Sequence, residues 1–221
     1  MNEINKISAC FQLTSKQLDL LKEIGNIGSG HAITALSNML NREIDVSLTS
    51  AEIIPFWRTV EIFDNPNSEI FGIYSGFHQN SDLSIIQVFS KESIINLINL
   101  LNENSKLVVD KINTKNDLDE LSLSIIVEIG NILSGHYANA LADFLSIKLV
   151  PNVPAVALDT LNAVFNELVA KHSQISNYLV LIKTELAVKD YKMDCIICFV
   201  PSLNVLQNLF KILNIKYDTN L

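Results

Sequence analysis

The chain is 221 residues long and 48% hydrophobic, which is enough to bury a sizeable core in one large domain or two fused halves. It carries 16 Lys and Arg against 24 Asp and Glu, a formal net charge of −8, and its basic residues are scattered along the sequence. A nucleic-acid binder or a polybasic membrane anchor would need a basic patch, so we exclude both classes.

No segment predicts export or membrane insertion. The N-terminus, MNEINKISAC, lacks an apolar stretch after a basic start and is not a signal peptide. Residues 24–41 carry no formal charge, but their Asn, Ser, Thr and His side chains would not be tolerated well on a lipid-facing helix. We therefore expect a soluble, cytoplasmic protein without membrane insertion.

The cysteines do not predict a disulfide framework, because there are only 3 of them. Cys195 and Cys198 form a CxxC pair within an apolar, β-like run, MDCIICFV. Residues three apart on a strand face opposite sides, which is poor geometry for a shared metal ion or a redox pair. We interpret both as buried strand cysteines.

The first half is predicted to begin with a long helix, about Ser15 to Met39, which Thr14 and Gln17 start as a capping box. Apolar runs then predict strands, polar Pro- and Asn-containing clusters predict turns, and a helix closes the half. In chain order these are strands at Ile44–Leu48, Ala51–Ile54, Thr59–Phe63, Ile70–Gly76 and Leu83–Phe89, turns at Asn65–Asn67 and His78–Asp82, and a helix at Lys91–Leu101.

A polar connector, Asn102–Asn116, separates the halves. The second half begins with a long helix from about Asp117 to Leu145, with Asn116 as its N-cap. The remaining predicted elements are strands at Ile147–Val150 and Ala155–Leu158, a helix at Thr160–His172, strands at Tyr178–Val188 and Met193–Val200, and a final helix at Ser202–Leu213.

One segment of the chain occurs twice. Residues 23–36 read EIGNIGSGHAITAL and residues 128–141 read EIGNILSGHYANAL, with ten of fourteen positions identical at an offset of 105 residues. A single duplication with this long period indicates two pseudo-symmetric halves rather than a solenoid. We therefore predict an α+β fold in which two halves, about residues 1–108 and 109–221, share one sheet within a single domain.

The two repeat-related helices carry matching polar positions. Each has three polar residues spaced i, i+4 and i+7: Asp19, Glu23 and Asn26 in the first, and Ser124, Glu128 and Asn131 in the second. At about 100° per residue, each set forms one stripe along its helix. A carboxamide can orient a water for attack on a phosphoryl group, and an exposed Glu can pair with a Lys or Arg of a partner. One such stripe would more often be a solvated helix face, but its recurrence favours two copies of a functional site.

The pattern Asp/Ser-x3-Glu-x2-Asn-x22-Pro resembles the signature of the CheC/CheX/FliY family of phosphatases, which act on the phosphorylated chemotaxis regulator CheY. The second copy matches in full, through Ser124, Glu128, Asn131 and Pro154, whereas Thr49 stands in place of the proline in the first. The resemblance covers nearly the whole chain and looks closest to the CheC branch. Because proline fixes backbone geometry and does no chemistry itself, we rate the second site above the first.

The resemblance implies a protein aspartyl-phosphate phosphatase, a hydrolase of chemotaxis signalling. The amides would orient the hydrolytic water and the acids would pair with the active-site lysine of the regulator, which assigns the catalytic positions to Asn26, Asn131, Glu23 and Glu128. The supporting or partner-binding positions would be Asp19, Ser124 and Pro154. Mg²⁺ would be bound by the regulator, so no cofactor or metal site is expected on this chain.

The implied partner is a phosphorylated CheY-type response regulator. Whether the receptor deamidase CheD also binds is left open, with the amphipathic stretch Asp159–His172 as a candidate docking segment. The rival interpretation is a non-catalytic adaptor for the phosphorylated regulator, or a flagellar switch component. The chain ends at Leu221, which leaves no room for the additional C-terminal domain of FliY, and the intact Glu and Asn pairs favour catalysis.

His31 and His136 are also repeat-equivalent, and each follows its Asn by five residues, about 140° further round the helix. A two-histidine metal site across the pseudo-dyad and hydrogen-bonded packing at the helix crossing are the alternatives. We favour packing, because carboxylate or thiolate companions are not apparent. The neighbouring glycines predict close approach of the helices rather than a phosphate-binding loop: Gly25, Gly28, Gly30, Gly130 and Gly135.

Overall fold

The computed structural model describes residues 14–55, 65–77, 83–102, 106–172, 178–188 and 191–214. Within these ranges the predicted α+β fold is confirmed, with five α-helices and one six-stranded sheet. The helices are α1 (Ser15–Leu40), α2 (Lys91–Leu101), α3 (Glu120–Leu145), α4 (Leu161–His172) and α5 (Leu203–Ile212). The strands are β1 (Asp45–Pro55), β2 (Glu69–Gly76), β3 (Leu83–Ser90), β4 (Ala155–Thr160), β5 (Tyr178–Val188) and β6 (Tyr191–Pro201).

Local sequence fixes the ends of the two long helices. The predicted capping box at the start of α1 is confirmed, with the Thr14 amide donating to Gln17 Oε1 at 2.8 Å. Both long helices end at a residue in the left-handed region, Asn41 (φ 49°) on α1 and Ser146 (φ 54°) on α3. Because these two residues are also repeat-equivalent, the duplication extends to the ends of the helices.

The predicted N-cap of α3 is wrong. Asn116 lies inside a separate 3-10 turn, Lys115–Asp117, so the α-helix begins later than the sequence suggests. Asp119 is the N-cap, and its carboxylate accepts a hydrogen bond from the Ser122 amide at 2.7 Å. A short side-chain oxygen at this position satisfies one of the unpaired amides of the first turn.

Two strand predictions need correction. Ile147–Val150 is not a strand, and across the described ranges the connection from α3 to β4 meets the sheet only at an isolated bridge between Pro151 and Phe77. The two predicted strands between residues 44 and 54 are the single strand β1, with a register shift in its middle. The predicted strand Thr59–Phe63 and turn His78–Asp82 lie outside the described residues.

The sheet order reads the same from both edges once repeat-related strands are exchanged. It is β1-β5-β6-β3-β2-β4, and every neighbouring pair is antiparallel. Since β1, β2 and β3 correspond to β4, β5 and β6, a pseudo-two-fold axis passes between β3 and β6, perpendicular to the sheet. Each half places its edge strand beside a strand of the other half, because β1 pairs with β5 and β4 pairs with β2.

Helices cover both faces of the sheet. Buried side chains of α1, α2, α3 and α5 belong to one apolar cluster, and those of α4 belong to a second cluster on the opposite face. Cys195 lies in the first cluster and Cys198 in the second, so the prediction of buried cysteines on opposite faces of a strand is confirmed. Within the described ranges, no helix combines the length and apolar character needed to cross a membrane.

The two long helices run antiparallel on one face, because the pseudo-two-fold axis is perpendicular to that face. They approach closely at Gly28 of α1, where an added Cβ would lie 2.7 Å from Cδ1 of Tyr137 on α3. Tyr137 is only 1% exposed, and its hydroxyl lies 3.2 Å from Oγ1 of Thr184 on β5. The sheet therefore holds the Tyr137 ring through its hydroxyl group, and the absence of a side chain at Gly28 lets α1 approach the ring.

The histidines His31 and His136 meet where the two helices cross. Their rings are stacked, with centroids 6.1 Å apart and an interplanar angle of 17°. Because the residues are repeat-equivalent, the pseudo-two-fold axis passes between the rings. Within the described ranges no further His, Cys, Asp or Glu side chain joins them in a possible metal site, so packing stays the favoured interpretation. Burial, and then the charge of His31, lowers the pKa of His136.

Gly28→Ala should destabilise the protein, and Gly30→Ala provides a matched control. The methyl group added at position 28 would clash with a buried ring, and overpacking typically costs about 1–3 kcal/mol. Nothing lies within 4 Å of a Cβ added at Gly30, so the control should gain up to about 1 kcal/mol of helix propensity. Urea unfolding followed by circular dichroism measures both changes. Shifts of the same sign would contradict this account of the helix contact.

His136→Asn should reduce the acid sensitivity of the fold. Because the pKa of His136 is lowered in the folded state, the unfolded chain binds more protons once the pH falls below the ordinary histidine value of about 6.5. Stability should therefore decrease from pH 7 towards pH 5 in the wild type and decrease less in the variant. His31→Asn removes only the lesser cause and should keep most of the slope. Parallel urea midpoint profiles for wild type and His136→Asn would contradict the assignment.

Candidate functional site

The six polar residues of the predicted stripes are all exposed to solvent. The opposite sides of the same helices are buried, as shown by Leu21 and Ile24 on α1 and by Ile126 and Ile129 on α3, each 2% exposed or less. Each helix therefore packs into the core on one side and presents an acid and an amide on the other. The exposed stripe residues are Asp19, Glu23 and Asn26 on α1, and Ser124, Glu128 and Asn131 on α3.

The acids and amides of the stripes are available to a partner. Within the described ranges, the side chains of Glu23, Asn26, Glu128 and Asn131 make no hydrogen bond or ion pair with this chain. Glu and Asn three residues apart lie nearly one turn apart, about 4.5 Å along the helix axis. Ser124 differs, because its hydroxyl donates to the Glu120 carbonyl at 2.8 Å and is satisfied by its own helix.

The second stripe is supported from below at Gly130, the residue before Asn131. A Cβ added at Gly130 would lie 2.5 Å from Cγ2 of Ile73 and 3.4 Å from Cβ and Cγ of Pro154. The structure therefore places Pro154, the proline of the sequence pattern, against α3 beside the level of Asn131. Because Gly130 has no side chain, the Pro154 ring and Ile73 of β2 pack directly against the helix backbone and hold it there.

A buried polar cluster connects the same part of α3 to the sheet. Gln87 Nε2 donates to the Gly130 carbonyl at 2.8 Å and to Ser134 Oγ at 2.7 Å, and Ser134 Oγ lies 2.7 Å from Ser75 Oγ. Gln87 is fully buried, and the structure describes no partner for its Oε1 atom. This cluster was not predicted, although a Gln within the apolar segment IIQVF was a signal for it. Because a buried amide donor costs free energy when it is left unpaired, these hydrogen bonds favour the observed position of α3 over β2 and β3.

The first stripe has different support. On α1, Ser29 Oγ donates to the Asn26 carbonyl at 3.2 Å. Thr49, which stands where the pattern has proline, lies at the register shift of β1, between Leu48 and Ser50. In the first half the position of the pattern's proline thus lies in an irregular strand. In the second half it lies in the connection between α3 and β4.

The residues of the site do not form a metal centre within the described ranges, where no group of three or more His, Cys, Asp or Glu side chains could hold a metal ion. The arrangement instead offers hydrogen-bonding amides and negatively charged acids on two helix surfaces. Such groups can pair with a cation of a partner and orient a water molecule, and the amide is not a nucleophile.

Comparisons with known proteins match both stripes. The CheC-like family model matches residues 17–47 and 121–158, which cover nearly all of both long helices. The CheY-P phosphatase CheC of Bacillus subtilis (strain 168) is 32% identical over 185 residues, which are 82% of this chain and 85% of that relative. The flagellar motor switch phosphatase FliY of the same organism is 27% identical over 146 residues, which are 66% of this chain and 36% of FliY.

A solved structure shares the fold. The crystal structure of FliY from Thermotoga maritima superposes with a TM-score of 0.68 at 20% identity, and covers 94% of this chain and 100% of that one. At 20% identity the similarity to this FliY structure shows a shared fold. The 32% identity to CheC over most of both chains shows common ancestry. The chain therefore belongs to the CheC-like family.

Proposed function

We propose that this protein hydrolyses the phosphoaspartate of a phosphorylated CheY-type response regulator. The proposal depends on the recurrence of an exposed Glu and Asn, at the same spacing, on the solvent-facing sides of two helices that pack on the core. The relative of 32% identity is a CheY-P phosphatase, which supports the same chemistry for this chain. Both stripes face solvent, where a folded partner can reach them.

In the proposed reaction, the amide of Asn26 or Asn131 inserts into the active site of the regulator. Its oxygen accepts a hydrogen bond from a water molecule and aligns the water oxygen with the phosphorus atom. A bond forms between the water oxygen and phosphorus, while the bond from phosphorus to the aspartate oxygen breaks. The products are inorganic phosphate and the free aspartate carboxylate. No covalent intermediate forms on this chain.

The acids dock the partner in this proposal. Glu23 and Glu128 pair with the active-site lysine of the regulator, one turn away from each amide. Mg²⁺ is bound by the regulator, where it neutralises charge on the phosphoryl oxygens. Since this chain supplies only orientation, its contribution depends on how rigidly the amide is held. The contacts below Gly130 provide that rigidity for Asn131.

A non-catalytic adaptor or flagellar switch component is the alternative. The similarity to FliY, a flagellar motor switch phosphatase, favours the switch component as the second candidate. An adaptor would bind the phosphorylated regulator through the same acids and leave its rate of dephosphorylation unchanged. Binding and turnover measured on the same samples therefore separate the two functions.

Removal of the amides should slow hydrolysis without preventing docking. Asn131→Ala should lose most of the acceleration, Asn26→Ala a smaller part, and the double variant should return to the intrinsic decay of the regulator. Even a tenfold acceleration corresponds to about 1.4 kcal/mol of transition-state stabilisation, which is readily measured. The measurement is the decay of phosphorylated Bacillus subtilis CheY with Mg²⁺, with and without each variant.

Asn139→Ala is the matched control, because Asn139 is an exposed amide on the same helix, about 12 Å along the axis beyond Asn131. It should keep full activity. A double variant with wild-type activity would contradict the role of the amides. A wild-type protein that binds the regulator without accelerating its decay would establish the adaptor function instead.

A further inference from the structure

Several exposed apolar side chains lie on α3 and on the connection that follows it. Within the described ranges, six large apolar residues are substantially exposed, and three of them lie on α3 or on the connection to β4. They are Leu121 at 55%, Val150 at 45% and Val153 at 78% exposed. Exposed apolar residues that occur together often mark a surface that another molecule covers.

Two of these residues lie at opposite ends of the second stripe. Leu121 precedes Ser124 by three residues, so it extends the stripe by about one turn towards the start of α3. Val153 precedes Pro154, which contacts α3 at Gly130 beside Asn131. A folded domain that covers Glu128 and Asn131 can therefore also contact Leu121 and Val153, which we call the apolar rim.

The first stripe has different surroundings. The repeat-equivalent of Leu121 is Lys16, and that of Val150 is Asp45, and both of these charged residues are exposed. One apolar residue beside the first stripe, Ile27 next to Asn26, is 42% exposed. The two stripes thus carry the same acid and amide, but charged residues stand at the first where exposed Leu121 and Val150 stand at the second. Substrate chemistry does not explain this difference, because the reacting groups are the same at both stripes.

We propose that Leu121 and Val153 are docking residues for the receiver domain of the regulator, and that the second stripe is its principal binding site. This inference rests on the proposed function, which requires a folded receiver domain to cover the stripe. Apolar contacts at the rim contribute binding affinity, whereas the acid and the amide orient the reacting groups. A few anchor residues at such positions commonly dominate the affinity of an interface.

The test is the affinity for Bacillus subtilis CheY carrying beryllofluoride and Mg²⁺ as a stable substitute for the phosphoryl group. Leu121→Lys introduces the residue that the chain itself has at the equivalent position of α1, and Val153→Ser removes the exposed valine methyl groups. Each variant should weaken binding about tenfold, and the pair should weaken it further. Both side chains are largely exposed, so the thermal midpoint should stay within a few degrees of wild type.

Ile212→Lys is the matched control, because Ile212 is an exposed apolar residue on α5, outside the apolar rim. It should leave the affinity unchanged. Equal losses for Ile212→Lys and the rim variants would overturn the proposal, since general surface hydrophobicity would then explain binding. Sedimentation of the chain alone identifies the other possible occupant: a rim variant that alters self-association and not CheY affinity would make the rim a contact between copies.

Turnover separates failure of this inference from failure of the proposed function. With phosphorylated CheY, the rim variants should raise KM about tenfold and leave kcat near wild type, because they do not touch the reacting groups. Wild-type acceleration with unchanged KM in both variants would overturn the docking role and leave the phosphatase intact. A wild type without acceleration would overturn the proposed function itself, whatever the rim variants do.

Discussion

The antiparallel pairing of β3 with β6 is the constraint on which the rest of the structure depends. It joins the two halves at the centre of the sheet and sets the direction of the pseudo-two-fold axis. Because that axis is perpendicular to the sheet, α1 and α3 must lie on one face and run in opposite directions. The stacked rings of His31 and His136 mark the point where the axis passes between the helices. The two stripes consequently lie on opposite sides of this point.

Close contacts with neighbouring elements hold the backbone of the two helices that carry the stripes. Gly28 allows α1 to reach Tyr137, and Gly130 allows Ile73 and Pro154 to reach α3. Gln87 adds hydrogen bonds from β3 to the carbonyl of Gly130 and to Ser134. Close packing of this kind leaves little freedom for the backbone that carries an exposed amide. A flexible side chain on a fixed backbone suits the insertion that the proposed function requires of the amide.

Much of the fold could be predicted from the sequence, because its strongest signals are local or repeated. The capping box at Thr14, the helix Lys91–Leu101 and the opposite-facing cysteines follow from short patterns, and all are confirmed. The N-cap at Asp119 was missed because Asn116 offers a similar cap within a competing 3-10 turn. The strand expected at Ile147–Val150 was wrong because an apolar run alone does not show whether a neighbouring strand is available to pair with it.

The candidate site was only partly predictable from sequence. Spacing alone predicted an exposed stripe on each helix, and the structure describes both as exposed. The support below the stripes was not predictable, because Gln87, Gly130 and Ser134 are brought together by the sheet rather than by their spacing. The assignment of catalytic roles to the acids and amides stays a prediction. The division of the chain near residue 108 also stays a prediction, as do Mg²⁺ on the regulator, a role for CheD and a cytoplasmic location.

The exchange of edge strands between the halves bears on how the two stripes came to differ. A single half would lack a neighbour for its edge strand and would need a second copy to complete the same sheet. In such a homodimer, symmetry would make the two surfaces identical. Joining the copies in one chain keeps them together at high effective concentration and lets each half accept its own substitutions. Leu121 opposite Lys16, and Pro154 opposite Thr49, are differences that only a fused chain can hold, so covalent linkage allows one half to specialise while the other preserves the scaffold.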